Sequence, residues 1–201
     1  MPPRFLTSLA AGVLLALTFP TAANAEWHFV PTIGWTFAAD TNLFDPGQGT
    51  SKVHWNFGGS VALLGAGVLG VEGTVVWTPG FFAGDGPVQV SGSHALTMMG
   101  NLVVTAPRKW TEYNLRPFVS GGFGFLGASR TDNVLPDNWN TPAFNIGGGA
   151  VGFFTKRTGV RFDLRYYNSI HKGDEGCPAT SLPPGCHVRY MTASVGVVIR
   201  R

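Results

Sequence analysis

The 201-residue chain is 44% hydrophobic and 12% aromatic but only 12% charged, with 28 glycines and a net charge of +3; an average soluble domain carries roughly twice that charged fraction. Its basic residues are scattered, with no block of five or more, which removes the case for a nucleic-acid partner. No stretch after residue 25 is apolar for the roughly 18 residues of a membrane helix, and two cysteines are too few for a disulfide scaffold or a four-ligand zinc site.

The first element reads as a secretory signal peptide over residues 1–25: Arg4 supplies the basic start, Phe5 to Phe19 the apolar run, Pro20 a break, and Ala23-Asn24-Ala25 the small-x-small cleavage site. The mature domain then spans 26–201, with 13 basic against 11 acidic side chains, and no cysteine follows the signal to take a lipid anchor. Low charge, export and the lack of a helical span point together to a barrel in an outer membrane.

From residue 26 onward the pattern has period 2, the signature of strands with two different faces. In the first run Trp27, Phe29, Ile33, Trp35 and Phe37 alternate with His28, Thr32, Gly34 and Thr36. In the second, Trp55, Phe57, Val61 and Leu63 alternate with His54, Asn56, Gly58 and Ser60. Eight such runs follow one another, near 26–39, 53–64, 67–78, 94–106, 115–128, 143–154, 158–170 and 187–200. These lengths suit tilted strands that cross a bilayer in roughly 9–11 residues. Connections near 40–52, 79–93, 129–142 and 171–186 are long and rich in Asp, Asn, Gly and Pro, those near 65–66 and 155–157 are tight, and the link around 107–114 is intermediate. Long loops at one end and short turns at the other, with both termini on the short-turn side, predict an all-β fold: an eight-stranded antiparallel transmembrane up-and-down β-barrel. A soluble barrel would alternate equally, but its polar face would be dense in Lys and Glu. Here, apart from Glu26 at the very start of the first, the polar faces of the first, second, fourth and sixth runs carry no formal charge.

The seventh run is the clearest. Val160, Phe162, Leu164 and Tyr166 share one face, and Arg161, Asp163, Arg165 and Tyr167 the other. With Glu72 in the third run and Arg116 in the fifth, these form a set of inward charges where an eight-stranded barrel is just wide enough to be filled by side chains. Charges packed there must pair, so Glu72, Arg116, Arg161, Asp163 and Arg165 are expected to form a lumenal network that either holds the barrel together or gates a narrow pore.

Three segments carry a family resemblance: Arg116-Pro117-Phe118-Val119-Ser120-Gly121-Gly122-Phe123-Gly124, Asn145-Ile146-Gly147-Gly148-Gly149, and Arg161-Phe162-Asp163-Leu164-Arg165-Tyr166-Tyr167. In these, and in this order, the chain resembles the OmpA/OmpX-like outer-membrane β-barrel domain family. The likeness covers strands five to eight well and the first four by pattern only. It implies eight antiparallel strands and an outer-membrane location, a monomer among outer-membrane lipids and lipopolysaccharide, and insertion by the barrel assembly machinery. It implies no single activity. One departure is the final run Val197-Val198-Ile199-Arg200-Arg201, where such barrels usually end in an aromatic residue.

Other motifs point to no chemistry. Gly65-Ala66-Gly67-Val68-Leu69-Gly70 and Gly122-Phe123-Gly124-Phe125-Leu126-Gly127 match the dinucleotide fingerprint literally, but neither opens a helix whose N-terminus could meet a pyrophosphate. A lipid A deacylase would show a His-x-Ser pair near the penultimate strand, whereas Ser169 has Tyr167 two residues before it, and His171 and Glu175 lie in the next loop. The histidines 28, 54, 94, 171 and 187 share no metal-binding spacing. No catalytic residue, cofactor or metal is therefore expected, and the protein reads as a non-enzymatic barrel with a structural or surface role, a narrow pore being the alternative. Cys177 and Cys186, separated by a Pro- and Gly-rich stretch, are expected to form a disulfide within the last loop during passage through an oxidising compartment.

Overall fold

The computed structural model describes residues 26–41, 53–64, 68–81, 92–106, 115–131, 136–170 and 188–201. The expected signal peptide and both cysteines lie outside the described residues. Eight strands run β1 (Glu26–Thr41), β2 (His54–Leu64), β3 (Leu69–Pro79), β4 (Gly92–Thr105), β5 (Leu115–Thr131), β6 (Pro136–Phe153), β7 (Thr158–Ser169) and β8 (Val188–Arg200). Each pairs antiparallel with its neighbours in sequence, and β1 closes on β8. Closure leaves no edge strand with unpaired backbone groups. It also places the two strand termini Glu26 and Arg200 at the same end as the β2–β3, β4–β5 and β6–β7 connections, hereafter the terminal end.

The side chains sort by parity. Outward positions are large and apolar: Leu102 is 66% exposed, Phe123 71%, Phe125 67% and Phe154 78%. Inward positions fill the lumen in three layers. Near the terminal end, Val30, Leu64, Val103, Phe118, Val151 and Val198 belong to one apolar cluster. Toward the other end Phe81, Met99, Leu126, Tyr167, Val188 and Tyr190 belong to a second. Charged and amide side chains lie between. The first apolar layer is hidden in the sequence, because Val30 or Val103 on an otherwise small, polar face breaks the alternation without revealing that the interruptions meet.

One boundary differs from the sequence reading. The segment 129–142, with its Asp, Asn and Pro residues, reads as a long loop, yet the β5–β6 ladder continues to the pair Thr131 and Pro136, leaving a connection of residues 132–135. The prolines are tolerated where they fall. Pro136 opens β6, and the Pro142 carbonyl accepts the Ile170 N–H at 2.7 Å just beyond the end of β7. The missing N–H of Pro142 therefore faces the end of a strand, not a continuing ladder.

Candidate functional site

The site is the charged layer at mid-lumen. Arg161, Asp163 and Arg165 stand at i, i+2 and i+4 on β7, so the strand period alone puts all three inside. Glu72 comes from β3, and in a closed ring of eight strands β3 and β7 are diametrically opposite. Arg161 approaches Glu72 Oε1 with Nη1 at 2.9 Å and donates from Nη2 to Glu72 Oε2 at 3.1 Å. Arg165 Nη2 donates to the same Oε2 at 2.9 Å. On β7 itself, Asp163 receives Arg161 Nη2 at 2.6 Å on Oδ2 and Arg165 Nε at 2.8 Å on Oδ1. Two guanidinium groups and two carboxylates thus form a neutral quartet whose forked hydrogen bonds are the strong, charge-assisted kind.

Burial is nearly complete: the Glu72 side chain is 0% exposed, Arg165 4%, Arg161 7% and Asp163 8%. The Arg161 guanidinium also lies over the Phe118 ring, 4.2 Å from its centre. Room for the long arginines comes from β6. Gly147 and Gly149 are the cross-strand partners of Arg165 and Asp163. A Cβ at Gly147 would strike the Arg165 side chain, and one at Gly149 the Phe162 carbonyl oxygen.

Amide and hydroxyl side chains extend the layer. Asn145 Nδ2 on β6 donates to Asn101 Oδ1 on β4 at 2.7 Å, and Asn101 Nδ2 donates to Thr74 Oγ1 on β3 at 3.3 Å. Asn56 Nδ2 donates to Thr36 Oγ1 at 3.0 Å. A second diametric link joins Thr97 on β4 to the Tyr190 hydroxyl on β8. There the Tyr190 ring stacks on Tyr167 with centroids 4.9 Å apart and meets Phe81 edge-on at 5.3 Å. The free space that remains beside Glu72, Asp163 and Arg165 is a cavity of about 30 Å³, enough for about two waters.

Of the five residues the sequence singles out, four come together and Arg116 does not join them. Its guanidinium is buried but donates to Thr105 Oγ1 at 2.8 Å and to the Ala106 carbonyl at 3.4 Å. Two carboxylates already neutralise Arg161 and Arg165, and Phe118, two residues along β5, occupies the space beneath Arg161. A third arginine there would be left in electrostatic excess. Sequence reasoning misses the asparagines and the tyrosine pair, although the same inward parity that selects Arg165 selects Tyr167, Asn145 and Asn101. Ser169 Oγ accepts the Val188 backbone N–H at 2.9 Å. His28 lies in the lumen near the terminal end, 3.6 Å from Glu26, while His94 faces outward and residues 171 and 187 are outside the described set. Gly122, Gly124 and Gly127 of the second glycine motif lie within the β5 ladder, not at a helix start.

Neither a family model nor a curated protein sequence matches the chain. Solved structures do. Neisserial surface protein A superposes with a TM-score of 0.62 at 11% identity, over 88% of this chain and 98% of that one. The N-terminal β-barrel domain of OprF from Pseudomonas aeruginosa gives 0.52 at 13% identity, over 89% and 98%. The outer membrane protein OprG from the same organism gives 0.51 at 10% identity, over 88% and 96%. The chain has the fold of small eight-stranded outer-membrane β-barrels.

Proposed function

We propose that this protein is an integral outer-membrane barrel with a closed lumen, serving a structural or surface-interaction role through the connections opposite its terminal end, and neither catalysing a reaction nor conducting solutes. The observation that carries this reading is the neutral Glu72, Asp163, Arg161 and Arg165 quartet spanning the lumen between two apolar clusters. An aqueous pore needs a continuous polar path, and apolar packing above and below the charges opposes one. The apolar outer face supports membrane residence, since a water-soluble barrel would leave those rings and aliphatic chains in solvent.

In this reading residues 1–25 are removed on export, leaving Glu26 at the new N-terminus, and the barrel inserts as a monomer with the help of the assembly machinery among phospholipid and lipopolysaccharide. Planar-bilayer recording from the folded protein tests the closed lumen. The expected trace is silent or shows only small, rare events. Stable porin-sized steps would overturn it in favour of a channel. Fractionation of expressing cells tests location: recovery in the soluble periplasmic fraction would remove the membrane assignment.

A further inference from the structure

The charges outside the lumen are divided between the two ends of the barrel. At the terminal end the strand termini and connections carry Arg108, Lys109, Lys156, Arg157, Arg200 and Arg201 against Glu26 and Glu112. The connections and strand ends opposite carry Asp40, Asp45, Asp85, Asp132, Asp137, Asp174 and Glu175 against Lys52, Arg130, Lys172 and Arg189. The small net charge of the whole chain therefore conceals a basic rim and an acidic one.

Part of the basic rim is a defined surface. The β6–β7 turn is pinned by Thr155, whose Oγ1 accepts the backbone N–H groups of Arg157 at 3.2 Å and Thr158 at 2.9 Å. The Arg200 N–H donates to the Arg157 carbonyl at 2.7 Å, and the Arg201 N–H to the Trp27 carbonyl at 2.9 Å. These bonds set Lys156, Arg157, Arg200 and Arg201 side by side on a fixed backbone. Arg200 is engaged by Glu26 at 3.3 Å and lies over Phe153. Lys156, Arg157 and Arg201 are exposed, and among the described residues no Asp or Glu side chain lies within ion-pair distance of any of them. Directly beside them the outer face is apolar, with Phe154 78%, Ile199 51% and Trp27 48% exposed.

We propose that this rim binds the phosphate headgroup of an anionic phospholipid, with Lys156, Arg157 and Arg201 on the phosphate and the acyl chains along the adjoining Trp27, Phe154 and Ile199 surface. The proposal rests on the membrane reading above and adds a lipid class and a side of the bilayer to it. Cations at the level where an apolar band ends meet the plane of the headgroups, and each basic residue near an anionic surface contributes attraction worth roughly fivefold in affinity.

The folded protein, placed in nanodiscs of phosphatidylcholine with a minor fraction of phosphatidylglycerol, tests this by native mass spectrometry of the lipids kept as the disc is stripped in the gas phase. Phosphatidylglycerol is expected to be retained well above its bulk fraction, and the K156Q/R157Q/R201Q variant to bring retention down to that fraction. K172Q/R189Q at the other end is expected to leave it unchanged. Inorganic phosphate in the buffer should not displace the lipid; if it does, the rim recognises free phosphate and the lipid assignment falls. Equal phosphatidylglycerol retention by the triple variant overturns the proposal while leaving the membrane reading intact. Failure of the folded protein to enter the discs overturns both.

Discussion

Glu72 on β3 and Arg161 on β7 meet at 2.9 Å across the full width of the barrel, between strands with no backbone contact to one another. The two strands are 89 residues apart in sequence at these positions. The bond is therefore a cross-brace. Glu72→Gln leaves two guanidinium groups facing a single carboxylate in a buried layer, and breaking a buried pair from one side costs about 3–5 kcal/mol. Urea midpoints in detergent micelles should fall accordingly. Asp163→Ala should behave alike. Removing the exposed Asp40–Arg189 pair, whose side chains are 47% and 53% exposed, should cost no more than about 1 kcal/mol. Equal losses in all three would show that the quartet is not a brace.

The glycines of β6 are the space that the quartet fills. Gly147→Ala sets a methyl against the Arg165 side chain and the Leu164 carbonyl, and overpacking of this kind costs about 1–3 kcal/mol. Gly73, on the outer face of β3, has nothing within 4 Å of an added Cβ. Gly73→Ala should then stay within about 0.5 kcal/mol of the parent. The same urea titration reads both, and a Gly147→Ala midpoint equal to that of Gly73→Ala would remove the steric argument.

Parity is the part of the structure most legible in the sequence. It puts Arg161, Asp163 and Arg165 on one face and Phe162 and Leu164 on the other, and it carries Glu72 inward. Parity assigns a face and says nothing of what a side chain meets there, which depends on strand tilt and on the direction each side chain leans. That is why it groups Arg116, correctly inward, with partners that this arginine does not touch, and why it cannot pair Tyr190 with Thr97. Prolines mislead in the other direction: a penalty that holds for a continuous ladder does not apply to Pro142, which sits where β7 has ended.

A second irregularity leaves no mark in the sequence at all. Between Phe37 and Asp40 the β1–β8 register shifts by one residue, and Ala38 takes φ of 50°. Such bulges usually place glycine in this left-handed conformation, since a side chain there costs about 1–2 kcal/mol. Ala38→Gly recovers that strain and gives back part of it through the greater freedom of glycine in the unfolded chain. A gain of up to about 1 kcal/mol is expected. Ala38→Val should lose stability by a comparable amount, and a midpoint raised by valine would contradict the strained backbone.

The connection between β7 and β8 contains Cys177 and Cys186, and the export proposed above, through an oxidising compartment, would favour their pairing. Closing a loop of about ten residues restricts the unfolded chain by roughly 2–3 kcal/mol in the entropy model. Mass spectrometry of unreduced, alkylated protein from the envelope should find no modified thiol. Two alkylated cysteines would refute the pairing.

Tyr190 combines a packing role and a hydrogen-bonding role that substitution can separate. Its ring lies between Tyr167 and Phe81, and its hydroxyl bonds to Thr97 across the lumen. Tyr190→Phe keeps the ring and removes the hydroxyl. That leaves the buried Thr97 oxygen without this partner, at a cost of about 1–3 kcal/mol. Tyr190→Ala also empties the space between two rings, and large-to-small changes of an aromatic in a core cost about 3–5 kcal/mol. The charged quartet spans the lumen below this cluster, so Tyr190→Ala alone should raise bilayer conductance little. Tyr190→Ala combined with Glu72→Gln should raise it more than the two single effects together. A conductance jump in Tyr190→Ala alone would mean that the aromatic layer, and not the charged one, is the barrier.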